Sequence, residues 1–223
     1  MSHAILFDLD GTLVDTAPDL GLALNMQRER HGLPPLPQHV IRPYASHGSQ
    51  GLLKVGFGLT PQSATFDAMR VEYLDLYDQV FDRSPNLFPG MTELLQALQS
   101  QGLRWGVVTN KPRRFTLPIM QALDLDGTAA CIVSGDDALR AKPYPDTLLL
   151  ACEIAGLDPA ACFYVGDAER DIQAGHAAGM CTVVARYGYL DERDTPEQWG
   201  AEALIDAPLE LLDKLRLRVA AAI

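Results

Sequence analysis

The sequence predicts an α/β protein built on a parallel sheet, with a helical block inserted near its start. Three observations carry this. Apolar runs of strand length occur at residues 4–7, 105–108, 131–133, 162–165 and 181–185. Helical segments follow the later runs or separate them, and several close on a glycine. Between residues 16 and 83 no strand pattern occurs at all. Strands that alternate with helices are best satisfied by a parallel sheet covered on both faces.

In chain order, Ala4-Ile5-Leu6-Phe7 has the bulk of a buried parallel strand. Asp15 or Thr16 caps a first helix, with Pro18 in its first turn and Gly32 at its end. Residues 33–37 form a proline-rich turn, and 38–45, 49–57 and 61–81 read as further helices. In the last of these Phe66, Met69, Tyr73, Leu76 and Val80 recur near the helical period. Residues 92–101 form a helix closed by Gly102, and the second strand, 105–108, runs into Thr109-Asn110-Lys111. Helices at 118–123, 145–155 and 169–178 alternate with strands at 131–133, 162–165 and 181–185. The stretch 186–200, with Tyr187, Tyr189 and Trp199, reads as a surface connection packed by its own side chains. Residues 203–205 form an edge strand and 209–219 a final helix.

The chain of 223 residues is 48% hydrophobic and carries a formal net charge of −11, which argues against a general nucleic-acid binder. No apolar run is long enough to span a membrane, and the N-terminus lacks a basic segment before its short apolar run. The four cysteines, Cys131, Cys152, Cys162 and Cys181, show no C-x-x-C spacing and read as buried free thiols in a reducing, cytoplasmic setting.

Chemistry concentrates at strand ends. Asp8 and Asp10 follow the first strand, and Gly11 permits a sharp turn there. Open α/β sheets bind ligands at the carboxyl ends of their strands. Two carboxylates so close repel unless a cation or a shared proton lies between them, and Mg²⁺ suits oxygen ligands. A calcium loop is excluded, because the twelfth position from Asp8 is Asp19 rather than Glu. Thr109, Asn110 and Lys111 end the second strand, Lys142 lies between the third strand and its helix, and Asp167 ends the fourth with Asp171 four residues on. Each is weak alone. Together, in this order, they are the polar groups that phosphoryl transfer needs.

This set, with the opening DLDGTLVDT, resembles the four motifs of the haloacid dehalogenase-like superfamily between Ile5 and Asp171. The resemblance implies a Rossmann-like core of residues 1–15 and 84–223 with sheet order 5-4-1-2-3, and a type-1 helical cap of residues 16–83. It implies Asp8 as nucleophile and Asp10 as general acid/base. Thr109 and Lys142 would hold the phosphoryl group with Asn110 beside them. Asp8, Asp10 and Asp167 would hold Mg²⁺, supported by Asp171. The expected activity is Mg²⁺-dependent hydrolysis of a small phosphorylated metabolite through an aspartyl-phosphate. Within the superfamily the chain most resembles the phosphoglycolate phosphatases. The stretch from Arg186 to Tyr189, with Trp199-Gly200-Ala201, also resembles the N-acetylmuramate 6-phosphate phosphatases. A sugar-phosphate mutase would share every core motif. A silent interaction domain would be expected to break one, and none is broken. Expected partners are a small phosphate ester and at most a second copy of the chain, with no nucleic acid or membrane. His47, in a glycine- and serine-rich helix entry, is a candidate substrate contact from the cap.

Overall fold

A computed structural model describes residues 4–81, 83 and 85–215. Its main sheet has six parallel strands. In chain order these are β1 (Ala4–Phe7), β4 (Arg104–Val108), β5 (Ile132–Val133), β6 (Cys162–Gly166), β7 (Cys181–Ala185) and β8 (Ala203–Ile205). Two further short strands, β2 (Val14–Asp15) and β3 (Asn86–Leu87), pair antiparallel on their own. The sheet order is β5-β4-β1-β6-β7-β8. Read from the other edge it is the expected 5-4-1-2-3, with β8 added beyond the fifth strand.

β1 lies at the centre, with Phe7 opposite Val107 on one side and Val165 on the other. All four of its side chains are buried, as a central parallel strand requires. Ile5 and Phe7 face one apolar layer, and Ala4 and Leu6 the other. The first layer includes α5 (Met91–Ser100) and α6 (Arg113–Ala122), while α7 (Asp146–Ala155) and α8 (Glu169–Ala177) cover the second. β1 is flanked by β4 and β6, which follow it in opposite directions across the sheet, so its carboxyl end opens at the switch point. All four cysteines are buried free thiols. No helix among the described residues is long and apolar enough to cross a membrane.

Between β2 and β3 the chain builds α1 (Ala17–Arg30), α2 (Gln38–Ile41), α3 (Gly48–Phe57) and α4 (Phe66–Tyr77). Two predicted helices differ from what forms. The one expected over 38–45 stops at Ile41 and tightens into a 3-10 turn, Arg42–His47, because Pro43 cannot donate an α-helical hydrogen bond. The one expected over 61–81 spans only Phe66–Tyr77. α6 begins earlier than predicted, at Arg113, and carries Pro118 inside it. Residues 211–215 are helical, and the rest of the helix predicted to reach 219 lies outside the described residues.

The helical block is held by apolar contact and by a few polar ties. Gly56 lets α3 approach α1 so closely that a methyl group there would overlap Leu24. The Gln27 amide donates to the Met69 carbonyl at 2.8 Å and to Glu72 at 3.1 Å, joining α1 to α4. Tyr73, Tyr77, Phe81 and Phe115 form an aromatic chain from α4 to α6, with Tyr77 and Phe115 centred 4.9 Å apart. Leu24 is wholly buried in this packing. Leu24→Ala is expected to lower unfolding free energy by about 2–5 kcal/mol, read as a reduced urea midpoint at unchanged slope.

Candidate active site

The turn after β1 sets the site. The Asp8 amide continues the sheet by donating to the Val165 carbonyl at 2.9 Å. The chain then folds back, with the Val14 amide on the Leu9 carbonyl at 2.9 Å. Gly11 sits at φ +84°, and a side chain there would overlap the Asp167 carboxylate and the Tyr189 ring. This bare turn lets the ends of β1 and β6 bring their carboxylates together. One oxygen from each of Asp8, Asp167 and Asp171 lies within 4.8 Å of the others, and all three residues are buried.

Lys142 enters this cluster from the segment after β5. Its ammonium lies 2.9 Å from Asp8 Oδ1 and 2.7 Å from Asp171 Oδ1. It also donates to the Tyr164 hydroxyl at 2.8 Å, and that hydroxyl donates to the Val108 carbonyl at 2.7 Å. Asn110 fixes the lysine's backbone, accepting from the Lys142 amide and donating to its carbonyl, both at 2.9 Å. Asn110 therefore places Lys142, while also lining the cavity above.

Asp10 faces elsewhere. Its carboxylate accepts from Lys111 Nζ at 2.9 Å and from the Thr16 hydroxyl. The Lys111 ammonium also lies over the Tyr77 ring, 4.8 Å from its centre. The acidic cluster thus holds Asp8, Asp167 and Asp171, while the Asp10 carboxylate lies with Lys111 on the wall of the same cavity. Asp8, Asp167 and Asp171 supply hard oxygen donors only, which fits a divalent cation such as Mg²⁺.

Asp8, Asp10, Thr109, Asn110, Lys142 and His47 line one cavity of about 750 Å³. Asp167 and Asp171 lie beneath it. The Thr109 hydroxyl accepts from the Lys111 amide at 3.2 Å. The helical block reaches the sheet through Ser46, whose hydroxyl donates to Asp167 Oδ2 at 2.6 Å, and through the Ser46 carbonyl, which accepts from Arg170. His47 is held below the ordinary imidazole value by partial burial and by Arg170, against the opposing pull of Asp194 and Asp191.

Arg170 and Tyr164 lie beside motif residues and carry no separate signal in the sequence, whereas Lys111 stands among the polar groups at the end of the second strand without its partner being legible. The stretch 186–200 is not a self-packed surface connection. The Tyr189 amide donates to Asp167 at 2.9 Å, its hydroxyl to Asp15 at 2.8 Å, and the Tyr187 hydroxyl to the Thr12 carbonyl at 3.1 Å. Gly188 makes this contact possible, since a side chain there would overlap Asp167 and the Gly11 carbonyl. Arg193, from the same stretch, lines the cavity.

Four carboxylates share the site with the three cations Lys111, Lys142 and Arg170. Burial, with the like charges of Asp171 and Asp8, pushes the Asp167 carboxyl up to about 7, against the pull of Ser46 and the Tyr189 amide. Burial and Asp8 likewise raise Asp171, while Lys142 and Arg170 oppose the rise. An aspartate in the unfolded chain titrates near 3.9. Folding then costs nothing extra below about pH 4, costs more as pH rises to about 7, and bears the full penalty above that. Asp167→Asn is expected to stabilise the chelator-treated protein by on the order of a few kcal/mol at pH 8, shrinking towards pH 4.5. Thermal unfolding across this range checks it, and a difference independent of pH would refute the cause given.

Comparison with known proteins identifies the family of the chain. The family described as haloacid dehalogenase-like hydrolase matches residues 5–185. The chain is 43% identical over 212 residues to an N-acetylmuramic acid 6-phosphate phosphatase of Pseudomonas aeruginosa, covering 95% of this chain and 94% of that one. It is 39% identical over 209 residues to a phosphoglycolate phosphatase of Xanthomonas campestris pv. campestris, covering 94% of each. Among solved structures, a predicted phosphoglycolate phosphatase from Haemophilus somnus 129PT superposes with a TM-score of 0.82 at 28% identity, covering 96% of this chain and 98% of that one. The chain belongs to the haloacid dehalogenase-like hydrolases.

Proposed function

We propose that this phosphatase hydrolyses a sugar-sized phosphomonoester, of the kind acted on by the N-acetylmuramic acid 6-phosphate phosphatases, through an aspartyl-phosphate on Asp8. The observation that carries the chemistry is the convergence of three strand ends. The Asp8 carboxylate opens into the cavity, with Lys142 2.9 Å from it and Asp167 and Asp171 beneath.

An Asp8 oxygen attacks phosphorus, and the bond from phosphorus to the ester oxygen breaks. Asp10 gives its proton to the departing alkoxide. Asp10 then takes a proton from water, whose oxygen attacks phosphorus, so that phosphate leaves and the Asp8 carboxylate returns. Lys142, the Thr109 hydroxyl and nearby backbone amides hold the charge on the phosphoryl oxygens. Asp8, Asp167 and Asp171 would hold Mg²⁺, which when bound neutralises charge between carboxylate and phosphate. Lys111 holds Asp10 in place for both proton transfers. Residues 16–83 act as a cap that closes the site from above, with Ser46 and His47 at its lower edge and His47 as a contact to the leaving group.

The substrate preference reverses the order that the sequence alone suggested. The relatives named N-acetylmuramic acid 6-phosphate phosphatases are 43% identical, and those named phosphoglycolate phosphatases reach 39%. A cavity of about 750 Å³ is also far larger than a two-carbon acid needs and within the range that takes drug-sized ligands.

Phosphate release from the purified protein tests both parts. Specificity constants are expected to be higher for N-acetylmuramate 6-phosphate than for 2-phosphoglycolate, and the reverse order would return phosphoglycolate to first place. Asp8→Asn is expected to fall below about 10⁻³ of wild-type turnover while its thermal unfolding shows an intact fold. Activity is expected to vanish with EDTA and return with Mg²⁺. Near wild-type release by Asp8→Asn would sink the mechanism, and chelator-resistant activity would sink the metal site.

A further inference from the structure

Deep in the cavity each carboxylate has a cation, whereas at its upper wall two cations have no carboxylate. Asp8 is paired with Lys142 and Asp10 with Lys111. Lys54 of α3 and Arg70 of α4 also line the cavity. Among the described residues neither forms an ion pair, and Arg70 makes one hydrogen bond, from Nε to the Ser49 hydroxyl at 3.2 Å. The remaining carboxylate of the lining, Asp67, lies on α4 three residues before Arg70, outside ion-pair distance. Arg193 also lines the cavity but is already paired with Asp191.

This arrangement runs against the average of the chain. A protein with net charge −11 has few cations to spare, yet two unpaired ones face the same concave space. A cleft lined by one sign of charge concentrates ligands of the opposite sign. The phosphoryl end of an ester is already served by Lys142 and Thr109 at the floor. The upper wall is complementary to a different anion on the same ligand.

We infer that Lys54 and Arg70 form a second anion subsite, which binds a carboxylate on the part of the phosphate ester that does not react. The subsite rests on the reading of Asp8 as the point of phosphoryl transfer and adds a requirement to it. The preferred substrate is a phosphomonoester with a carboxylate remote from its phosphate. Arg70 offers a planar fork suited to a carboxylate, and Lys54, on the wall of the same cavity, adds a second positive charge. Both side chains reach solvent, so the subsite works at the mouth of the cavity and is screened by salt.

N-acetylmuramate 6-phosphate and N-acetylglucosamine 6-phosphate test this, because they differ only in the carboxylate-bearing lactyl ether. The full-length wild type is expected to favour the muramate ester, chiefly through a lower KM, with the preference falling as salt rises. In Lys54→Gln/Arg70→Gln the ratio of specificity constants is expected to fall by about tenfold. In Arg70→Glu it should fall further, because repulsion replaces attraction. Circular dichroism and thermal unfolding show that each variant is folded. Equal losses on both esters, or a ratio that neither substitution nor salt alters, overturn the subsite while leaving the phosphatase reading intact. No phosphate release by wild type from either ester or from p-nitrophenyl phosphate overturns the phosphatase reading, and the subsite with it.

Discussion

The site depends on one buried ammonium. Lys142 has no exposed side-chain surface and lies between two carboxylates that are themselves almost fully buried. An ammonium has three hydrogens to give. The Tyr164 hydroxyl and the Val108 carbonyl accept from it at 2.8 and 3.2 Å, and the Asp171 and Asp8 carboxylates form ion pairs with it at 2.7 and 2.9 Å. Such a group adds little net stability, because desolvation of the charges offsets their attraction. What it does is make the acidic cluster tolerable. Without it, Asp8, Asp167 and Asp171 would lie together with only Arg170 to oppose their mutual repulsion. The lysine thus offsets the like charges of the two carboxylates it lies between.

Placing Lys142 takes contributions from distant parts of the chain. Asn110, after β4, holds its backbone in both directions, and Tyr164, in β6, positions its head. The parallel sheet is what brings these together. Because β4, β1 and β6 run side by side in the same direction, the residues just past their ends meet at one edge. Two glycines complete the arrangement. Gly11 and Gly188 pass against Asp167 where any side chain would collide, so the turn after β1 and the segment after β7 can both close on that carboxylate.

The legible part of this design was the part written in local patterns. The apolar runs predicted every strand of the main sheet, because a buried strand must be apolar on both faces whatever its neighbours are. Asp8, Lys142, Asp167 and Asp171, which the structure brings together, could be grouped from the sequence because they come in order after successive strands. Tyr189 was not. Its amide and hydroxyl act on Asp167 and Asp15, partners more than 170 residues away in one case, and nothing in its own surroundings records that. Lys111 stood in plain view beside Thr109, yet its role comes from Asp10 and Tyr77, which only the folded chain brings to it. The partner of Asp10 is hidden from the sequence for a related reason. Spacing puts two carboxylates at one turn, but which of them faces the cluster depends on the cation each finds.

A strongly acidic chain that handles anionic esters is not a contradiction, because field strength in a cleft is set by what lines it. The net charge of −11 is spread over a solvated surface, where it is screened within about 8–10 Å at ordinary ionic strength. Lys111 and Lys142 are almost fully buried, and there the screening is weakest. Each of them is nevertheless bound to a carboxylate, so their charge is not freely offered to every passing anion. On the proposed mechanism it becomes available to a phosphoryl group only as that group approaches Asp8 and shares the same contacts. The pairing therefore gives a geometric selection on top of an electrostatic one. On the same reading, an anion that stops short of the end of β1 finds Lys111 and Lys142 already satisfied, while one that reaches it finds donors fixed in advance, which cost no reorganisation when charge develops.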